Sequence, residues 1–188
     1  MTRLRKRDWR VEPVSFDTAR RLIEAFHYAG GVSNAAVHVH GLFRKDSFFE
    51  GECVGIAWWL PPIIQAARSS LPENPHGVLA LSRLVIAPDV PRNACSFLLS
   101  RSRRLIDARR WPCFITYADE WRGHTGAIYR ADNWTCMGRT RPERVYVKNG
   151  RMIARKAGAR TRTHEEMIAL GAECVGSFAK RKFMRLAA

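Results

Sequence analysis

The sequence predicts an α/β fold of three layers, a single domain built on a mixed sheet with a basic extension at each end. Three observations carry this reading. Hydrophobic residues make up 46% of the 188, the composition of a globular chain long enough to bury its own core. Apolar spacing alternates along the chain between the period of helices and the period of strands. The order strand, helix, strand over 78–118 is a β-α-β crossover, whose two strands are expected to be parallel and adjacent.

The elements follow in order. Residues 1–14 read as a basic arm. Ser15 is placed as an N-cap, and Phe16, Ala19, Leu22, Ile23 and Phe26 follow at helical spacing, predicting an amphipathic helix over 16–27. His27-Tyr28-Ala29-Gly30-Gly31 ends it, with glycine as the left-handed cap. Residues 36–43 alternate, 53–60 are a more buried apolar run, and the charged turn between them makes the pair a hairpin. Pro61-Pro62 stops it, and Pro72, Pro75 and Gly77 mark 65–77 as loop. The strongest strand signal is 78–87. Residues 88–93 turn the chain into a helix over 95–109. Residues 112–118 form another buried strand, with Asp119 just past its carboxyl end. A short helix is expected within 123–131, closing strands at 134–138 and 143–148, and a last helix near 164–171. The tail around Lys180-Arg181-Lys182 is expected to be mobile until bound.

The formal net charge is +15, and its placement is informative. Residues 1–10 hold five basic side chains and one acid, and residues 139–188 hold thirteen and four. Residues 11–138 hold fourteen and twelve, so a nearly neutral body lies between two basic ends. That pattern favours a polyanionic partner, because neutralising phosphates releases counterions. No apolar run approaches the ~20 residues of a bilayer span, and no apolar segment follows the basic start as a secretory leader requires. The expectation is a cytosolic protein with no membrane partner. Cysteines 53, 95, 113, 136 and 174 are widely spaced with no C-x-x-C, which indicates neither a zinc ribbon nor a disulfide framework.

Four constellations can carry chemistry. The turn Arg92-Asn93-Ala94-Cys95-Ser96 opens a helix, whose N-terminal N–H groups suit a pyrophosphate; ordinary capping by Asn93 or Ser96 is the plainer alternative. Asp119, at a strand end, precedes Gly123-His124 and Tyr129, an arrangement for a general base and acid or for a helix cap and a core tyrosine. His27-Tyr28 closes a helix, where a histidine also serves as an electrostatic cap. His38 and His40 share a strand face at metal-ligand spacing with no third ligand evident, so surface histidines are the simpler reading. Trp58, Trp59 and Trp134 are placed in the core. Ligands of open α/β sheets sit beyond strand carboxyl ends, which puts the turn 88–96 beside 118–124.

The order of elements resembles the GCN5-related N-acetyltransferase fold, in which the turn before the central helix cradles acetyl-CoA; here that turn has no glycine. More specifically, five segments together resemble the Mom family of phage DNA-modification proteins over roughly 15–148. They are Phe26-His27-Tyr28-Ala29-Gly30, Leu81-Ser82-Arg83-Leu84, Asn93-Ala94-Cys95-Ser96-Phe97, Tyr117-Ala118-Asp119 and Gly123-His124-x-Gly126-x-Ile128-Tyr129-x-Ala131-x-Asn133-Trp134. The resemblance implies conversion of adenine in double-stranded DNA to N6-(carbamoylmethyl)adenine, which protects phage DNA from host restriction in the bacterial cytoplasm. It implies His27, Tyr28, Asp119 and Tyr129 as the catalytic group, and Arg83, Asn93 and Ser96 on the acyl donor. The donor is expected to be acetyl-CoA or a glycine-like acyl carrier, and a charged tRNA also suits the basic surface. Iron is associated with the family, with His27 and Asp119 as candidate ligands. The implied organisation is an arm over 1–14, a catalytic domain over 15–148 and a basic extension over 149–188. An ordinary acetyl-CoA-dependent N-acetyltransferase of a small amine or peptide is the competing enzyme, and a non-catalytic DNA-binding protein the competing class.

Overall fold

The computed structural model describes residues 3–28, 32, 35–45, 52–157 and 160–187. The elements run β1 (Trp9–Pro13), α1 (Phe16–Phe26), β2 (His38–Arg44), β3 (Cys53–Leu60), α2 (Ile64–Arg68), β4 (Val78–Ile86), α3 (Ala94–Arg104), β5 (Cys113–Asp119), α4 (Ala127–Ala131) and β6 (Thr135–Arg139). They continue with β7 (Glu143–Lys148), β8 (Arg151–Ile153), β9 (Lys156–Ala157), β10 (Arg160–Thr161), α5 (His164–Ala169), β11 (Glu173–Phe178) and β12 (Lys180–Leu186). Seven strands form one sheet in the order β1-β2-β3-β4-β5-β12-β6. Among the described strands only β4 and β5 pair in parallel, as the β-α-β crossover requires. The second, three-stranded sheet is β11-β7-β8, and β9 pairs with β10.

The alternation of side chains along a strand builds the layers. Trp58 and Trp59 are both fully buried yet belong to different apolar clusters, one on each face of the sheet. Trp58 packs with Ala19 and Ile23 of α1, while Trp59 packs with Leu98 and Leu99 of α3. The amphipathic stripe predicted for α1 is the one that is buried, and Ser15 caps it by accepting from the Thr18 amide at 3.2 Å. The predicted glycine cap at Gly30-Gly31 lies outside the described residues.

Several elements differ from the sequence reading, and each difference has a tertiary cause. Residues 9–13, expected within a basic arm, are the edge strand paired to β2, because Leu4 and Trp9 bury themselves in the core. The start of the stretch 65–77, expected as loop, instead belongs to a turn of helix, Ile64–Arg68, that seats Ala67 against Val78 and Ile115. The helix expected to run to 109 ends at Arg104. The two closing strands part company, β6 joining the main sheet and β7 the second one. The largest difference is the tail. Residues 180–186, expected to be mobile, are an inner strand inserted between β5 and β6, with Phe183 fully buried.

Candidate active site

The site is made by a parting of the sheet. β4 and β5 are paired only from Val78 and Cys113 to Leu81 and Thr116. Past that point β4 carries a bulge against β3, with Leu81 opposite Trp59 and Arg83 opposite Trp58, leaving Ser82 as the extra residue. A cavity of about 390 Å³ occupies the opening, lined among others by Tyr28, Ser82, Cys95, Thr116 and Tyr129. It adjoins a broader cleft of about 870 Å³, to which His27, Tyr28, Trp121 and Arg122 contribute.

Of the four residues expected to carry the reaction, His27, Tyr28 and Tyr129 line this opening, and Asp119 stands behind Tyr28, lining a neighbouring cavity of about 360 Å³. Asp119 is the last residue of β5 rather than the one after it, and it is 3% exposed. The Tyr28 hydroxyl donates to Asp119 Oδ2 at 3.2 Å across 91 positions of sequence. The other oxygen, Oδ1, is buried with no hydrogen-bond partner among the described residues. A buried polar atom without a partner is costly to keep, which marks it as a point awaiting a donor. Burial pushes the Tyr28 hydroxyl well above the ordinary tyrosine range, and the Asp119 carboxyl adds to this by its charge and its hydrogen bond. Tyr28 therefore stays protonated and keeps donating.

His27 stacks on Tyr28 with ring centroids 4.6 Å apart and planes 24° from parallel. Burial, and after it the cations Arg83, His124 and Arg122, lowers its pKa from 6.5 to about 4, so it is a neutral imidazole at pH 7. Tyr129 is 8% exposed, packed on Trp134 and Phe183, and burial raises its hydroxyl pKa. Gly126 begins α4 in the left-handed region at φ 81°, with Phe183 so close that a Cβ would meet its ring at 2.2 Å. Only glycine lets α4 sit down on Phe183 and bring Tyr129 to the cavity.

The residues expected on the donor divide. Arg83 acts on His27 and Tyr28 through its charge, and its Nη1 donates to the Ser82 carbonyl at 2.9 Å. Its Nε is buried without a partner among the described residues. Asn93 and Ser96 line a separate hollow of about 410 Å³ with Arg3, Arg92 and Ile128. Neither side chain caps α3: Asn93 Oδ1 accepts from the Leu4 amide at 2.6 Å, and Ser96 Oγ donates to the Asn93 carbonyl at 3.1 Å.

Sequence reasoning missed Trp121 and Arg122, on the turn after Asp119. The Arg122 guanidinium lies 5.1 Å from both the Tyr28 and the Trp121 ring centroids, and His124 meets Tyr28 edge-on at 5.7 Å. An aromatic and an arginine directly after a strand-end acid were the available signal. His40 is part of the core instead: its Nδ1 lies 2.7 Å from Ser102 Oγ, to which Trp59 Nε1 also donates. Among the described residues no three His, Cys, Asp or Glu side chains converge to hold a metal. His27 and Asp119, the candidate iron ligands, are thus not joined by a third His, Cys, Asp or Glu among the described residues.

Comparison with known proteins adds three findings. A model of the Mom protein family matches residues 8–185. Over 140 residues the chain is 30% identical to the methylcarbamoylase mom of Escherichia phage Mu, a match covering 70% of this chain and 54% of that protein. The match thus spans about half the length of that relative. Among solved structures, NAA60 of Arabidopsis thaliana in complex with acetyl-CoA superposes with a TM-score of 0.61 at 10% identity, covering 95% of this chain and 98% of that one. A GNAT family acetyltransferase from Elizabethkingia anophelis with acetyl-CoA bound gives 0.54 at 9% identity, covering 97% and 100%. At such identities the likeness establishes the fold, which is the acetyltransferase type. No described helix is long and apolar enough to cross a membrane.

Proposed function

This chain belongs to the Mom protein family, and from that premise we propose that it is a transferase that modifies the N6 amine of adenine in double-stranded DNA. The product is N6-(carbamoylmethyl)adenine, which shields DNA from host restriction. The observation that carries the reading is Asp119: a buried carboxyl whose Oδ2 is held by Tyr28 and whose Oδ1 has no partner among the described residues, beside an open cleft.

Adenine N6 is a weak nucleophile because its lone pair is delocalised into the ring. An enzyme must take an N6 proton as attack proceeds and hold the base in line. Asp119 Oδ1 is the acceptor for that proton. Tyr28 positions the carboxyl from the other oxygen, and neutral His27, stacked on Tyr28, keeps that ring in place. Reaching N6 requires the base to leave the stack, at a few kcal/mol. The Trp121–Arg122–Tyr28 surface supplies a face on which it can rest.

A coenzyme A thioester would be held by residues around the parted strands, with Tyr129 lining the cavity and Arg3, Arg92 and Ser96 available to its phosphates. Such a donor would supply an activated acyl carbon, and Tyr129 would return a proton to the departing thiolate. The carbamoylmethyl product carries a nitrogen that an acetyl group lacks and joins N6 to a methylene carbon, so a glycine-like acyl group would first give the N6-glycyl amide, which must then rearrange to its carbamoylmethyl isomer.

The deciding experiment is nucleoside mass spectrometry on plasmid DNA from bacteria expressing this chain. A deoxyadenosine heavier by a carbamoylmethyl group is the expected result. An increase matching an acetyl group would keep the DNA target and replace the donor. Unmodified DNA together with an acetylated small amine would favour the ordinary N-acetyltransferase.

A further inference from the structure

Residues 144–162 contain seven Lys or Arg and no acidic residue. They make up most of the second sheet, whose hairpin β7–β8 pairs Lys148 with Arg151 around Asn149-Gly150. Both turn residues have positive φ, 51° and 72°. Two successive left-handed residues in an Asn-Gly pair are the geometry of a type I′ turn, whose twist matches the strands it joins. The tip is therefore a defined projection. Behind it, Tyr146 packs with Met167 and Ala172, and a capping box on Thr163 and Glu166 starts α5.

The tip also belongs to the active-site cleft. Gly150, Arg151 and Met152 line the same 870 Å³ space as His27, Tyr28 and Trp121. On the other side of Met152, Arg144 and Lys156 line a cavity of about 360 Å³ that reaches Asp119. Arg144, Arg151 and Lys156 are all exposed. A narrow ribbon with cations along it, standing over a cleft that must receive a base, has the dimensions that the DNA major groove admits.

We propose that the β7–β8 hairpin, with the start of β9 beside it, is a finger that grips double-stranded DNA beside the target base, with Arg144, Arg151 and Lys156 contacting phosphates on either side. This rests on the reading of the chain as an adenine-modifying enzyme. It explains why the acid-free stretch is attached at the mouth of the site. A duplex held there presents its extruded base to Tyr28 and Asp119.

The test compares the full chain with its Arg144→Ala/Arg151→Ala/Lys156→Ala variant for binding to a short labelled duplex over a series of salt concentrations. Each lost phosphate contact removes about 0.9 from the slope of log K against log salt, so the variant should lose about 2 to 3 of that slope. The matching variant with Arg144→Lys and Arg151→Lys, and Lys156 kept, should retain it. A variant with wild-type slope and affinity would overturn the proposal, as would equal wild-type binding to an acidic peptide and to the duplex. Nucleoside mass spectrometry on the same proteins separates the two readings. Wild-type chain that modifies DNA while the slope stays unmoved sinks the finger alone. Wild-type chain that leaves DNA unmodified while the variant loses its slope sinks the enzymatic reading and leaves the finger standing.

Discussion

Residues 180–186 and residues 144–162 are both rich in Lys and Arg and both belong to the last quarter of the chain, yet they end in opposite environments. The first segment, β12, runs through the interior of the main sheet, and its cations are engaged there. Arg181 Nε donates to Glu120 Oε1 at 2.7 Å, Lys182 Nζ to Ser69 Oγ at 2.9 Å, and Arg185 to the Asp132 carbonyl. The second segment stands at the mouth of the cleft with Arg144, Arg151 and Lys156 exposed. The difference lies in which core the buried aromatic enters. Phe183 is fully buried against Tyr129 in the main core, whereas Tyr146 is buried in the small cluster of the second sheet with Met167 and Ala172, and the tip of the hairpin has only Met152 to offer. Net charge therefore locates a basic segment poorly, and the apolar residue embedded in it locates it well.

The sharpest way to break this comparison is to remove that residue. Phe183→Ala should cost about 3–5 kcal/mol, the usual range for emptying a buried phenylalanine site, read as a lower denaturation midpoint. Truncation after residue 179 should yield no folded protein, since β5 and β6 would lose their shared partner.

The next largest effect is on what β12 holds in place. Lys180 is the register partner of Asp119. Asp119→Asn should lower DNA modification by about 10²–10⁴, the contribution of a positioned general base, while the melting temperature holds or rises. Tyr129→Phe should do the same to a smaller degree. Full activity in either variant would remove that residue from the proposed reaction.

A smaller effect follows from the histidines. Burial lowers His27 and His40 from 6.5 to about 4. Between those values the unfolded chain binds protons that the fold refuses, so stability should fall as pH drops from 6.5 toward 4 and level off below. His27→Gln should flatten its share of that slope in melting curves taken across pH 7 to 4. The smallest effect belongs to the hairpin: the Arg144, Arg151 and Lys156 alanine variant should keep its stability within about 0.5 kcal/mol, as exposed substitutions do. A large loss there would mean the hairpin is structural after all.

Much of the site was legible before the fold was known, and for identifiable reasons. His27-Tyr28, Asp119 and Tyr129 were marked by their places at the ends of elements and by the resemblance of the segments around them. What the spacing left open was which of these residues meet. Tyr28 reaches Asp119 rather than standing alone, Arg83 acts on His27 and Tyr28, and Asn93 is occupied by the Leu4 amide. Trp121 and Arg122 went unremarked because a single aromatic in a turn has no periodicity to betray it.

The sequence by itself determined the local elements: the Ser15-capped helix, the hairpin of β2 and β3, the crossover of β4, α3 and β5, and the late helix expected near 164–171 and found at His164–Ala169. Each is decided by neighbours a few positions apart, through apolar period, capping and turn chemistry, and these are written in adjacent letters. Only the tertiary structure decided that β1 and β12 join the sheet, that the β4–β5 parting opens over Tyr28, and that the basic β7–β8 hairpin faces the cleft. Those outcomes depend on contacts between residues as many as 113 positions apart. They are chosen by which distant apolar surfaces bury one another, a balance to which no local pattern has access.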